Sequence, residues 1–307
     1  MTNLTQFSFL ILCAYFDFDL FMYFCFIFMM LLYIFILCAN VFLIVVICVN
    51  RSLHEPMYVF LCSLFVNELL GSTGLFPSLM DQILRDIHTV PTSLCFLQIY
   101  CLYTYANVQF CNLAVMSYDR YLAICFPLQY HTRMTSKRVA LLITTTWLYP
   151  LLAVLILVSL SSSLHLCGNI IDKVYCDNYS IVKLSCSDTT VNNIYGLIYT
   201  AATIVVVLLI IYSYMRILRV CFSGSKQTRH KAVSTCTPHL ASLINFSFGC
   251  FFEIIQSRFD MKHVPSILRI ILSVYFFTCP PLFNPVVYGL NIRKIRLTCK
   301  SVFFGTK

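Results

Sequence analysis

Blocks of more than twenty mostly apolar residues recur along the chain, each closed by charges, prolines or a polar cluster. Blocks of that length cross a hydrocarbon core of roughly 30 Å as helices. Breaking the chain at these closures predicts seven spans, at 22–49, 57–80, 95–121, 139–160, 194–218, 232–257 and 266–290. The last two are the least clean, because Glu253 and Arg269 sit near their ends. Stretches such as LLAVLILVSL and AATIVVVLLI do not alternate apolar with polar residues, which argues against a closed barrel. The predicted fold is an all-α membrane protein. A single seven-transmembrane helix bundle takes up residues 1–307, with a short amphipathic eighth helix and tail at 291–307.

Composition agrees with that pattern. Of the 307 residues 60% are hydrophobic and 11% charged, and the mean hydropathy is +0.84. Soluble domains carry about 25% charged residues. The first basic residue is Arg51, so the run from Leu20 to Val49 lacks the positive n-region of a cleaved signal and reads as an uncleaved span. Of 21 basic residues, 15 fall in the loops and tail on the C-terminal side, among them Arg120, Arg133, Arg138, Arg219, Arg293 and Lys294. The excess of positive charge predicts that this side is cytoplasmic and the N-terminus extracellular. The net charge of +9 is thereby accounted for by topology, without nucleic acid as a partner.

Most of the 17 cysteines lie inside spans, where they act as small hydrophobes. Four lie at or beyond the outer ends, Cys95, Cys167, Cys176 and Cys186, and two disulfides among them can be drawn in three ways. Their spacing suits no metal site. Topology sorts the glycosylation sequons, leaving Asn3 as the accessible one, Asn178 hemmed in by the cysteine-rich loop, and Asn50 and Asn245 as chance matches.

Several segments carry a family resemblance. LHEPMYVFLCSLFVNE (53–68), MSYDRYLAICFPLQY (116–130), YSYMRIL (212–218), KAVSTCTPHL (231–240) and PPLFNPVVYGLNIRKIR (280–296) occur in order, with CGNIIDKVYCDNYSIVKLSCSD (167–188) between the fourth and fifth spans. Together they resemble the rhodopsin-like G-protein-coupled receptors, and within them the olfactory receptors. The variations at 67–77 and 244–259 look more like fish members than mammalian ones.

The resemblance implies bridges Cys95–Cys176 and Cys167–Cys186. It implies a switch for G-protein coupling in which Asp119 neutralises Arg120 at rest, with Tyr121 beside it and Tyr214, Asn284, Pro285 and Tyr288 at the ends of other helices. The competing role for Asp119–Arg120 is an interfacial helix anchor. Asn40, Glu68 and Asn284 resemble the family's buried polar cluster, which in many relatives holds sodium; Glu68 stands where most members have Asp and is one methylene longer, so polar packing without a cofactor is expected. Pro238, Pro280, Pro281 and Pro285 free backbone carbonyls in the last two spans.

A ligand pocket is expected between the third, fifth, sixth and seventh spans. Helical spacing puts Leu102, Tyr103, Ala106, Asn107 and Phe110 on one face of the third span, and Tyr195, Ile198, Tyr199 and Ala202 on one face of the fifth. Ser247, Cys250, Phe251, Ile254 and Arg258 form the stripe expected on the sixth. Arg258 either grips a ligand carboxylate, anchors its helix at the interface, or pairs with Asp260 or a loop Asp. Leu102 stands where amine receptors carry Asp, and Thr278 where opsins carry the retinal lysine; a small odorant fits the remaining apolar, aromatic lining.

The implied partners are a small-molecule odorant, a heterotrimeric G protein of the stimulatory olfactory type that raises cAMP, membrane lipid, arrestin and trafficking chaperones, at the plasma membrane. A transporter or channel would show internal repeats or several midplane charges. An enzyme would show a nucleophile–base constellation, and His239 alone reads as a packing residue. A receptor for a pheromone or peptide is the surviving alternative.

Overall fold

The structure, a computed structural model, describes residues 7–15, 19–223, 226–258 and 266–304; within these, the side chains of 19–21, 223, 226–235, 257, 258, 266, 267, 300 and 302–304 are not described. Asn3 and the Arg258 side chain therefore lie outside the described part.

Among the described residues seven long helices form the bundle, α1 (Asp19–Val49), α2 (Pro56–Ile83), α3 (Thr92–Cys125), α5 (Ser136–Ser162), α7 (Thr190–Ser223), α8 (Lys226–Arg258) and α9 (Ser266–Asn291). Two short helices, α4 (Tyr130–Arg133) and α6 (Asn178–Lys183), lie in loops, and α10 (Arg293–Phe304) follows α9 after one residue. Local sequence explains several ends. Pro56 opens α2, where its missing N–H costs nothing. Thr135 caps α5 by accepting from the Arg138 N–H at 3.4 Å, and Asp177 caps α6 by accepting from the Ser180 N–H at 3.0 Å. α3 stops at Cys125, two residues before Pro127.

Six of the seven long helices are long and apolar enough to cross a membrane, and α3 is not among them. It carries Gln98, Asn107, Gln109, Asn112, Asp119 and Arg120 within its 34 residues. The first five of these are buried, because α3 runs through the middle of the bundle against α2, α5, α7 and α8. The outer surface has the opposite character. Leu197, Ile204 and Leu208 on α7 and Leu152 and Leu155 on α5 are large, apolar and exposed. A surface of that kind suits lipid, where helices associate by close packing rather than by hydrophobic burial.

Close packing is visible at two glycines. A Cβ on Gly71 of α2 would stand 2.5 Å from the Tyr105 ring of α3, and one on Gly249 of α8 would stand 3.1 Å from the Phe276 backbone of α9. Both contacts require a residue without a side chain.

At the end of the bundle holding residue 7, three short strands form a sheet in the order β2–β1–β3, with β1 at Phe9–Leu12, β2 at Thr89–Pro91 and β3 at Ile170–Ile171. β1 pairs antiparallel with β2, Leu10 opposite Val90, and parallel with β3, Ile11 opposite Ile170. Leu10 and Leu12 are buried beneath it with Ile99, Ile171 and Ile181. Disulfides Cys95–Cys176 and Cys167–Cys186 tie the loop after α5 to α3 and to itself. The pairing matches the one the resemblance implies.

Candidate functional site: a polar core between two ends of one helix

Three groups of residues meet on α3. The first closes its far end. Arg120 donates from Nε to Asp119 Oδ2 at 2.9 Å and from a terminal nitrogen to the same oxygen, while Tyr130 of α4 donates to Asp119 Oδ1 at 2.7 Å. Asp119 is fully buried and Arg120 is partly buried. A carboxylate that close to the bundle end is tolerated because both its oxygens are bonded and a guanidinium neutralises it. Tyr121 packs edge-on against Phe126, with ring centres 5.6 Å apart. Tyr214 is buried among Leu113, Ile210 and Leu243. Neither Tyr214 nor Tyr288 bonds Arg120 here; the Tyr288 hydroxyl and His239 Nδ1 share a hydrogen bond at 3.2 Å.

The second group is the polar core. Glu68 is fully buried and accepts from Gln109 Nε2 at 2.7 Å, from Asn284 Nδ2, and from the Tyr105 hydroxyl at 3.2 Å. Further bonds fix the donors' orientation. Gln109 Oε1 accepts from Asn67 at 2.9 Å, and Asn284 Oδ1 accepts from Ser242 at 2.7 Å. The amide nitrogens are thereby turned toward the carboxylate. N–H and O–H donors converge on both carboxylate oxygens, so Glu68 is satisfied by neutral polar partners. Asn40 is a correction to the expected cluster. It makes no bond to Glu68 and instead donates from Nδ2 to the carbonyls of Ile36 at 2.9 Å and Pro281 at 3.0 Å. The reason is local, since Pro285 has no N–H for the carbonyl four residues before it.

The third group lies between the polar core and the sheet. Leu102, Tyr105 and Phe110 of α3 are buried with Phe246 of α8 and Phe276 and Phe277 of α9, and Ala106 and Cys250 pack against them. Phe110 and Phe246 meet edge to face with ring centres 4.8 Å apart. On the side toward α7, Asn107 donates to the Tyr199 hydroxyl, and Thr203 donates to Asn107 Oδ1 at 3.3 Å. Ala202 and Ser247 are half-buried, and Thr278 is buried with its hydroxyl unbonded. Tyr103 turns away from this space and donates to Asp177 Oδ1 at 2.9 Å.

Besides Tyr103, four further expected pocket residues do not belong to it. Ile198 of α7 and Phe251 and Ile254 of α8 are 61%, 65% and 48% exposed on the outer faces of their helices. Tyr195 donates to the Ala153 carbonyl of α5 at 2.8 Å. On α8 the inward positions are Phe246, Gly249, Cys250 and Glu253 instead. Apolar residues suit lipid as well as core, so hydrophobicity alone left the helix phase open. The one acidic residue of that helix, Glu253, carried the missing signal, because a charge in a span turns inward. The same reasoning would have found Gln109, beside Glu68 across the α2–α3 contact.

Glu253 meets the loop after β3. Lys173 Nζ donates to Glu253 Oε2 at 2.9 Å and lies 3.8 Å from Asp177 Oδ2, and the Tyr175 hydroxyl donates to Glu253 Oε2 at 2.5 Å. Burial works against the charge on Lys173, but Asp177 and Glu253 outweigh it and raise its pKa. Burial would likewise raise Asp177, and Lys173 with donors from Tyr103 and Ser180 holds it below its ordinary value. A cavity of about 110 Å³ beside this cluster is lined by Tyr15, Lys173, Gln256, Arg269 and Ser273, among others.

Comparison with known proteins agrees with this architecture. The sequence profile of the olfactory receptor family matches residues 28–305. Human olfactory receptor 52N4 is 33% identical over 261 residues, covering 83% of this chain and 81% of that one. Human olfactory receptor 52N5 is 34% identical over 275 residues, covering 88% and 85%. Among solved structures, squid rhodopsin superposes with a TM-score of 0.75 at 16% identity, covering 94% of this chain and 86% of that one, which shows the shared seven-helix fold. With its profile match, its relatives and its fold in agreement, this chain belongs to the olfactory receptor family of G-protein-coupled receptors, multi-pass membrane proteins that are not enzymes.

Proposed function

We propose that the chain is an odorant receptor whose residues 1–307 form one signalling unit, with its N-terminus outside the cell and α10 in the cytoplasm. A small odorant occupies the space lined by Leu102, Ala106, Asn107, Phe110, Tyr199, Ala202, Ser247, Cys250 and Thr278, and a heterotrimeric G protein of the stimulatory type reads the opposite end. Asn3 is the glycosylation site, and arrestin and trafficking chaperones are the further partners.

One observation supports this reading above the others. A single helix, α3, carries both the aromatic lining at Leu102–Phe110 and the neutralised Asp119–Arg120 pair. The buried amide network around Glu68 meets α3 at Tyr105 and Gln109, on the lining's own stretch of the helix and about three turns before Asp119. A ligand that favours one packing of the bundle over another can shift the Arg120 end only by its differential affinity for the two packings. The test is odorant-driven cAMP in cells expressing Arg120→Ala at matched surface density. Loss of the response is expected; an intact response overturns the switch.

A further inference from the structure

The loop between β3 and α6 reaches into the bundle and holds α8 by charge. Val174 and Tyr175 are buried at its tip, and the Tyr175 ring stands edge-on to Phe277 with centres 5.3 Å apart. The tip cannot swing freely. Cys176 is bonded to Cys95 of α3, its N–H donates to Gln98 Oε1 at 2.9 Å, and the Val174 carbonyl accepts from the Tyr15 hydroxyl at 2.6 Å. From this fixed platform Lys173 and Tyr175 converge on one carboxylate oxygen of Glu253, with the Lys173 ammonium at 2.9 Å. Glu253 stands one turn beyond Gly249, where α8 packs tightly against Phe276 of α9.

We propose that Lys173 and Tyr175 form a latch on Glu253 that holds α8 in the signalling-silent packing, so that ligand acts in part by releasing it. The physical grounds are the burial and the asymmetry of the two sides. Lys173 and Glu253 are 6% and 12% exposed, so the pair is little screened by solvent. The loop side is anchored covalently to α3, whereas α8 is held to α9 by packing and by reversible hydrogen bonds, among them Ser273 to Gln256 Oε1 at 2.9 Å and Ser242 to Asn284 Oδ1 at 2.7 Å. Any outward shift of α8 must therefore part the ion pair, and breaking one partner of a buried pair is disfavoured strongly. Glu253 and Lys173 are positioning residues in this scheme, and the inference rests on the receptor reading above.

The test uses full-length receptor in lipid nanodiscs, wild type against Glu253→Ala, with Lys173→Met as the second variant because either change alone could impair folding. Two readouts are taken. Hydrogen exchange of the backbone at 246–256 is expected to quicken in both variants, with α2 and α3 unchanged. Ligand-free nucleotide exchange on added G protein, per receptor, is expected to rise about fivefold or more, the low end of ordinary allosteric coupling. Unchanged exchange at 246–256 in both variants overturns the latch, as does loosening spread evenly over every helix. Loosened α8 without a rise in nucleotide exchange overturns its inhibitory role. If wild-type receptor with any ligand drives no nucleotide exchange, the receptor reading fails, while the hydrogen-exchange arm still decides the contact.

Discussion

Asn40 donates from Nδ2 to the carbonyl of Pro281, 3.0 Å away, the one group in α9 that Pro285 leaves without its helical partner. A side chain on the first helix thus completes the backbone of the last. Replacing Asn40 by Ala should cost about 1–3 kcal/mol, the penalty for orphaning a buried carbonyl. The same change in a Pro285→Ala background should cost less, since an N–H returns to that carbonyl. Thermal unfolding of the four receptors in detergent, read as a double-mutant cycle, checks it; a coupling of zero would refute the link.

Gly71 and Gly196 make a matched pair for the packing claim. Gly71→Ala drives a methyl into the Tyr105 ring and should destabilise by about 1–3 kcal/mol. Gly196→Ala meets nothing within 4 Å on the α7 surface and should gain about 0.5–1 kcal/mol from helix propensity. Melting temperatures of the two variants should move in opposite directions.

Glu68 is satisfied by neutral donors, which leads to a prediction about salt. Exchanging sodium chloride for N-methylglucamine chloride at constant ionic strength should leave the melting temperature unchanged. Glu68→Ala, which strands the donors of Gln109, Asn284 and Tyr105, should lower stability by more than Glu68→Gln does. A sodium-dependent rise in melting temperature would show that the amides turn their oxygens inward.

The Asp177 carboxyl gives the loop a pH dependence of definite sign. Its folded pKa lies below the ordinary value of 3.8, so its contribution is present above that value and lost as pH falls through the depressed folded one. Protection of the α6 amides against hydrogen exchange should hold from neutral pH down to about 4 and collapse below it. In Asp177→Asn the collapse should disappear.

Much of this architecture is legible in the residue pattern, and the reasons are specific. The helix α5 at Ser136–Ser162 brackets the expected 139–160 because Thr135 caps it and polar serines end it. The bridges and the Asp119–Arg120 pair follow motifs that carry the family resemblance. The sheet does not, since strands of two to four residues leave no periodicity to read. Nor does the phase of α8, where Phe246 and Phe251 are the same residue type facing core and exterior. Polar atoms settle such phases, as Glu253 and Asn107 do.

The composition of α3 also bears on how the chain is made. A helix that faces its neighbours on nearly every side has little apolar surface of its own to offer the bilayer. Gln98, Gln109, Asn112 and Asp119 would lie bare in lipid until α2, α5 and α7 had closed around them. The helix with neighbours on most of its sides is therefore the one least suited to lie in lipid by itself, and the shell that covers its polar residues is completed only by helices that follow it in the chain.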